Sequence, residues 1–105
     1  MKRCLFLIPT TYNDGSPVPS EQIANIYEEL FVNFGGFSQG GITNGLWKMA
    51  DGSEVKDQSL TIWIVITDEK VVILKELVKK FCKLLKQEAI YFEIMECDIE
   101  FIGPE

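Results

Sequence analysis

The chain contains no histidine, and its acidic residues outnumber its basic ones. Among 105 residues, 16 are Asp or Glu and 10 are Lys or Arg, so the net charge is −6. The lack of histidine excludes Ser-His-Asp triads, imidazole acid–base catalysis and most zinc sites. The shortage of positive charge disfavours a general nucleic-acid binder, which must neutralise phosphates, and also binding to an anionic membrane surface. Any catalysis would rest on carboxylates, Lys, Tyr, Cys or backbone groups.

Cysteines and long apolar runs are also scarce. The three cysteines, Cys4, Cys82 and Cys97, are odd in number and follow no motif spacing. They indicate reduced thiols of a cytoplasmic protein, and without a four-cysteine set no iron–sulfur cluster is expected. No apolar run approaches the ~20 residues of a membrane span. Pro9 ends the apolar start too early for a signal peptide. We therefore expect no cofactor, no nucleic-acid partner and no membrane partner.

The length and composition predict one globular domain spanning residues 1–105. Hydrophobic residues make up 47% of the chain and charged residues 25%, as in ordinary soluble proteins. A chain of this size buries roughly 60–70% of its unfolded surface, which suffices for one core without disulfides.

The fold is predicted to be organised around the stretch QSLTIWIVI, residues Gln58–Ile66. From Leu60 to Ile66 only Thr61 is polar, and the length and β-branched content favour a strand over a helix. Both faces are apolar, which is typical of a central strand. One face carries Leu60, Ile62, Ile64 and Ile66, and the other carries Trp63 and Val65.

Two stretches have the spacing of amphipathic helices. The first has Ser20 as its predicted N-cap and ends at Gly35–Gly36. The second is predicted to be capped by Asp68, with an apolar stripe from Val71 to Leu85. A second stripe on this helix is basic and consists of Lys75, Lys79, Lys83 and Lys86.

The remaining predicted strands complete a β-α-β-β-α-β order. They are Arg3–Ile8, Ile42–Met49 and Ala89–Met95, and the alternation of Asp98–Ile102 is compatible with a short extra edge strand. This order predicts an α+β fold, the ferredoxin-like split βαβ sandwich. Right-handed crossovers place both helices on one face of a four-stranded antiparallel sheet of order 4-1-3-2.

The face of the sheet opposite the helices is predicted to be apolar and uncovered. Large exposed apolar patches usually mark an interface. We therefore predict a homodimer in which two sheets stack face to face. The expected interface residues are Trp63, Val65, Tyr91 and Met95.

The topology also brings three polar segments to one end of the sheet, namely residues 10–15, 50–57 and 87–88. Loops at the end of a rigid sheet often carry binding or catalytic residues. Candidate ligand-binding residues are Thr10, Thr11, Asn13, Asp14 and Gln87. Candidate metal ligands are Asp14, Asp51, Asp57 and Glu88, of which at least one should have a raised pKa if the carboxylates cluster. The same residue types are also ordinary turn formers.

An enzyme built at this end would use carboxylate or tyrosine chemistry. Asp57 or Glu88 would act as the base, with Tyr12 as an acid or hydrogen-bond donor. Lys48 would stabilise an anion.

Three stretches carry a resemblance to known sequences: LFLIPTTYNDGSPVP, FGGFS and KQEAIYFE. With them, nearly the whole chain resembles a group of small bacterial proteins that are uncharacterised. The resemblance implies a stand-alone cytoplasmic α+β domain and implies no activity, cofactor or substrate.

Three functional hypotheses remain open from the sequence. The first is a non-enzymatic interaction or regulatory module that self-associates through the open sheet face. The second is an enzyme, or a small-ligand or divalent-cation site, at the loop end. The third is a protein partner in a bacterial toxin–antitoxin, defence or mobile-element system. The sequence does not separate the first from the third.

Overall fold

The chain forms one antiparallel sheet with two helices, and the computed structural model describes every residue from Met1 to Glu105. The strands pair in the order β2-β3-β1-β4, which confirms the predicted ferredoxin-like plan. The elements in chain order are β1 (Lys2–Pro9), α1 (Ser20–Phe34), β2 (Ser38–Lys48), β3 (Glu54–Ile66), α2 (Asp68–Leu84) and β4 (Phe92–Glu96).

The core lies between the helices and the inner face of the two central strands. Alternate residues of β1 and β3 are buried, because successive side chains of a strand point to opposite faces. They pack with the apolar stripes of the helices, as the periodicity predicts. The core residues are Cys4, Phe6, Ile8, Val18, Ile26, Leu30, Ile62, Ile64, Ile66, Val71, Leu74, Val78, Phe81 and Leu85.

The helix ends differ from the prediction by one residue. Ser20 and Asp68 were expected to be N-caps, but each is the first helical residue, and Pro19 and Thr67 hold the cap positions without side-chain capping bonds. Gly35 ends α1 as predicted: its φ is 78° and its N–H donates to the Phe31 carbonyl. Neither helix is both long enough and apolar enough to cross a lipid bilayer.

The hairpin between β2 and β3 is longer than the sequence suggests. β2 begins at Ser38 and β3 at Glu54, so both strands start before the predicted Ile42 and Gln58. The last pair between β1 and β3 is Pro9 with Ser59. Residues 44–58 therefore extend past β1 as a two-stranded hairpin, which we call the hairpin arm. A tight turn closes it, in which the Met49 N–H donates to the Ser53 carbonyl at 2.7 Å.

The chain after β4 has no regular structure. The extra edge strand considered for Asp98–Ile102 is not formed. The Cys97 N–H donates to the Met1 carbonyl, and beyond it Phe101 is 96% exposed and Ile102 is 87% exposed. An alternating pattern stabilises a strand only where its apolar side chains can pack against another apolar surface. Phe101 packs against no such surface within this chain.

Candidate functional site

Parts of the three polar segments predicted to meet at one end of the sheet lie together there, namely residues 11–13, 15, 55–57 and 87–88. They line a half-open cavity of about 380 Å³, which we call the loop-end cavity. Its lining comes from the end of β1 and the loop after it, from the hairpin arm, and from the segment between α2 and β4. The lining residues are Leu7, Pro9, Thr11, Tyr12, Asn13, Gly15, Trp47, Met49, Val55, Lys56, Asp57, Ser59, Gln87, Glu88, Ala89, Ile90 and Tyr91.

Thr10 fixes the loop after β1 to the base of the hairpin arm. Its N–H and its hydroxyl both donate to the Gln58 carbonyl, at 2.9 and 3.0 Å. Its own carbonyl accepts from the Val18 N–H at 2.9 Å. Thr10 was a candidate ligand-binding residue, but it does not line the cavity. Its hydrogen bonds position the walls of the cavity.

A tight turn presents Tyr12 and Asn13 to the cavity. The Tyr12 N–H donates to the Ser16 carbonyl at 2.8 Å, and the Gly15 N–H donates to the Tyr12 carbonyl at 3.0 Å. Gly15 has a φ of +86°, which glycine adopts at little cost. The Asn13 side-chain amide donates to the Lys86 carbonyl at 3.4 Å, so this turn rests on the end of α2.

The end of α2 turns Gln87 and Glu88 towards the same cavity. Lys86 adopts a φ of 55°, the left-handed conformation that commonly ends a helix. The Gln87 N–H donates to the Cys82 carbonyl at 3.0 Å, and the Gln87 side-chain amide donates to the Leu85 carbonyl at 2.9 Å. The amide group of Gln87 is thereby held in place, with its oxygen left to accept.

Two aromatic rings form the apolar wall. The centroids of Trp47 and Tyr91 lie 6.3 Å apart with a tilt of 38° between the ring planes. The Tyr91 hydroxyl donates to Glu93 Oε1 at 2.6 Å. This hydrogen bond is the main reason why the pKa of Tyr91 is raised above its ordinary value of 10.0.

The four candidate metal ligands do not converge. The carboxylates of Asp14 and Asp51 each accept from the N–H and hydroxyl of the serine two residues later, Ser16 and Ser53. These bonds lower the pKa of Asp14 and of Asp51 below 3.8, opposite to the raised pKa expected for clustered carboxylates. No three His, Cys, Asp or Glu side chains lie where they could hold one metal ion. Asp14 and Asp51 therefore form turns, as the alternative interpretation has it.

The proposed catalytic residues are only partly brought together. Tyr12, Asp57 and Glu88 line the cavity, whereas Lys48 lies exposed near the tip of the hairpin arm and is not part of the lining. Lys56 lines the cavity instead. Among the other ligand-binding candidates, Thr11, Asn13 and Gln87 line the cavity and Asp14 does not.

Sequence reasoning missed Trp47 and Met49 of the hairpin arm, and it included Val55 and Lys56 only as members of the segment 50–57. Trp47, Val55 and Lys56 reach the cavity because β2 and β3 continue past β1. The one available signal was a tryptophan placed two residues after a glycine in a predicted strand. Aromatic side chains often cover glycines in strands.

The outer face of the sheet is not covered by the helices. Trp63 and Val65 are half-buried, and Tyr91 and Met95 are 46% and 51% exposed. On this face Leu5 of β1 lies directly opposite Trp63 of β3. The Arg3 guanidinium lies over the Trp63 ring at 5.2 Å from its centroid.

Comparisons with known proteins identify the fold and no sequence family. No protein-family model matches the sequence, and no curated protein is similar to it in sequence. A phage SAM lyase in complex with S-methyl-5′-thioadenosine has a TM-score of 0.72 at 18% identity, covering 90% of this chain and 80% of the lyase.

Two further solved structures are similar in fold. The PII-like protein CutA from Nostoc sp. PCC 7120 has a TM-score of 0.66 at 17% identity, with 93% of this chain and 82% of CutA covered. A divalent cation tolerance protein (Cut A1) from Thermus thermophilus has a TM-score of 0.64 at 13% identity, with 96% and 88% covered. At these identities the likeness establishes the ferredoxin-like α+β fold.

Proposed function

We propose that the protein binds a small organic molecule with a flat ring in the loop-end cavity. The observation that carries this proposal is the juxtaposition of the Trp47 and Tyr91 rings with polar side chains from three separate segments. The cavity volume of about 380 Å³ falls within the ~300–1,000 Å³ of small-molecule sites. Such sites combine apolar walls with a few polar groups that fix the orientation of the ligand.

The lining favours a ring with polar edges over a simple ion. The Tyr91 hydroxyl donates its proton to Glu93, so a ligand can contact the ring face of Tyr91 but cannot accept this proton. Asn13, Gln87 and Asp57 also line the cavity and supply hydrogen-bonding groups. Lys56 is balanced by Asp57 and Glu88, so the cavity carries both signs of charge.

We propose a nucleoside as the ligand class. The similar fold of a lyase bound to S-methyl-5′-thioadenosine supports this choice. An adenosine-type ligand supplies a flat ring for the aromatic wall and polar edges for the amides. The enzyme hypothesis belongs to the same cavity. In it Asp57 or Glu88 would serve as the base and Tyr12 as the hydrogen-bond donor, and turnover of the bound ligand would distinguish it from binding alone.

Fluorescence titration tests the proposal. A Trp63→Phe variant leaves Trp47 as the single tryptophan, so ligand binding in the cavity should change the emission. Adenosine, S-methyl-5′-thioadenosine and S-adenosylmethionine are titrated in turn, with ribose 5-phosphate and Mg²⁺ as comparisons. Saturable binding of an adenosine compound that Tyr91→Ala weakens supports the proposal. Equal and non-saturable responses to all compounds would refute it.

A second function, self-association through the outer sheet face, rests on a different observation. The half-buried Trp63 and Val65 and the exposed Met95 form an apolar surface that neither helix covers. A homodimer with stacked sheets would bury this apolar surface. A different protein partner would need a surface complementary to it. Multi-angle light scattering at micromolar concentration measures the mass directly. Trp63→Ala should then make the melting temperature depend less on protein concentration, whereas a strict monomer would remove this second function.

A further inference from the structure

Gly45 leaves a space on the hairpin arm that two polar atoms occupy. A Cβ atom built on Gly45 would lie 2.4 Å from Trp47 Nε1 and 2.6 Å from Asp57 Oδ1. Real Cβ atoms do not tolerate such distances. The two atoms, a hydrogen-bond donor and an acceptor, therefore converge over one glycine.

The register of the arm explains this convergence. Gly45 pairs directly with Asp57 across the ladder, and Trp47 follows Gly45 by two residues on the same strand. Residues two apart in a strand, and residues directly opposite on neighbouring strands, share one face of the sheet. The indole ring can lie back over Gly45 only because that position has no side chain.

Neither of these two groups has a hydrogen-bond partner within the chain, since no hydrogen bond uses the indole N–H or the Asp57 carboxylate. Trp47 and Asp57 line the loop-end cavity. The Tyr91 ring, tilted against the indole, supplies the adjacent apolar surface. A donor beside an acceptor, next to an aromatic face, suits one edge of a flat heterocycle.

We propose that Trp47 Nε1 and the Asp57 carboxylate together recognise a ring edge in which a hydrogen-bond donor lies beside an acceptor. The amino edge of a 6-aminopurine has this pattern, since its exocyclic amine would donate to Asp57 and its ring nitrogen would accept from Trp47. This inference rests on the proposed binding function and specifies the ligand class of the same cavity. Gly45 is the residue that determines this specificity.

Paired ligands and paired glycine variants test the inference. Wild-type protein should bind adenosine at least about fivefold more tightly than N6,N6-dimethyladenosine, which has lost the donor. Gly45→Ala should weaken adenosine binding by a similar factor. Gly41→Ala is the matched control, because it lies on the same strand and its added Cβ would meet nothing within 4 Å.

Two further variants guard against misfolding of Gly45→Ala. Trp47→Phe removes the N–H while it keeps an aromatic ring, and Asp57→Asn keeps the size of the side chain. Each should weaken adenosine binding and reduce the preference for adenosine over the dimethyl compound, with unchanged thermal melts as the check on folding. Tight adenosine binding that none of the substitutions alters, or equal affinity for both compounds, would overturn the inference and leave the proposed binding function intact. No binding of any nucleoside by the wild type would overturn both.

Discussion

The rings of Trp47 and Tyr91 lie 6.3 Å apart although their strands belong to opposite edges of the sheet. Trp47 is on β2, Tyr91 immediately precedes β4, and β3 and β1 run between them. The contact arises where the hairpin arm extends past β1 and only β2 and β3 remain paired. Two-stranded ribbons generally twist more than wider sheets. The arm thereby reaches across the end of the sheet and closes the loop-end cavity.

This contact should contribute measurably to stability. In a double-mutant cycle of Trp47→Leu and Tyr91→Leu, we expect a coupling energy of about 0.5–1.5 kcal/mol, the usual value for an aromatic pair. Urea denaturation of the four proteins gives the coupling. Strictly additive losses would mean that the rings do not stabilise each other in solution.

Replacing Gly40 or Gly41 by alanine should have very different effects on stability. A Cβ on Gly40 would lie 2.9 Å from Cζ3 of Trp63, whereas one on Gly41 would meet nothing within 4 Å. Gly40→Ala should therefore destabilise the protein by roughly 1–3 kcal/mol, the usual cost of overpacking. Gly41→Ala serves as the control, and chemical denaturation compares them. Equal stability of the two variants would show that Trp63 moves away freely.

The hydrogen bond between Tyr91 and Glu93 should make the stability of the protein depend on pH in the alkaline range. The pKa of Tyr91 is raised, so its contribution to stability is complete below pH 10 and is lost as the pH rises through the raised value. Glu93→Gln should lower the Tyr91 pKa towards its ordinary value. Carbon-13 NMR of the tyrosine ring measures this residue by residue, and Tyr27, whose pKa is raised by burial, should not change.

Asp14 and Asp51 should behave as turn residues and not as metal ligands. Their pKa values are lowered by Ser16 and Ser53, so their stabilising effect is present above pH 3.8 and disappears as the pH falls through the lowered values. Asp14→Ala and Asp51→Ala should each lower the melting temperature at pH 7 and lose this effect in acid. Millimolar Mg²⁺, Ca²⁺ or Mn²⁺ should leave the wild-type melting temperature unchanged. A metal-dependent rise that Asp57→Asn abolishes would instead support the cation site considered from the sequence.

Two phenylalanines should differ greatly in how much they contribute to stability, because only one of them is buried in the core. Phe6 is fully buried on β1, whereas Phe101 is 96% exposed. Phe6→Ala should cost about 3–5 kcal/mol because it leaves a cavity. Phe101→Ala should leave the stability of the monomer unchanged, and a substantial loss at high protein concentration alone would indicate that this segment contacts a second copy.

The sequence was enough to predict the order of elements, the buried faces of both helices and the inward face of Leu60–Ile66. These follow from side-chain periodicity, which is set by local backbone geometry. It also placed residues 10–15 and 87–88 at one end of the sheet, because that follows from the topology alone.

The three-dimensional structure shows how far β3 extends beyond β1, and therefore that the hairpin arm brings Trp47 to Tyr91. It also decided that Asp14 and Asp51 bond to their own turns while Asp57 lines the cavity beside Trp47. Strand length and register depend on pairing between residues far apart in the chain, and a single residue of register moves every side chain to the other face. The polar end of the sheet could therefore be read from local pattern, whereas the cavity exists only through the long-range pairing of the arm.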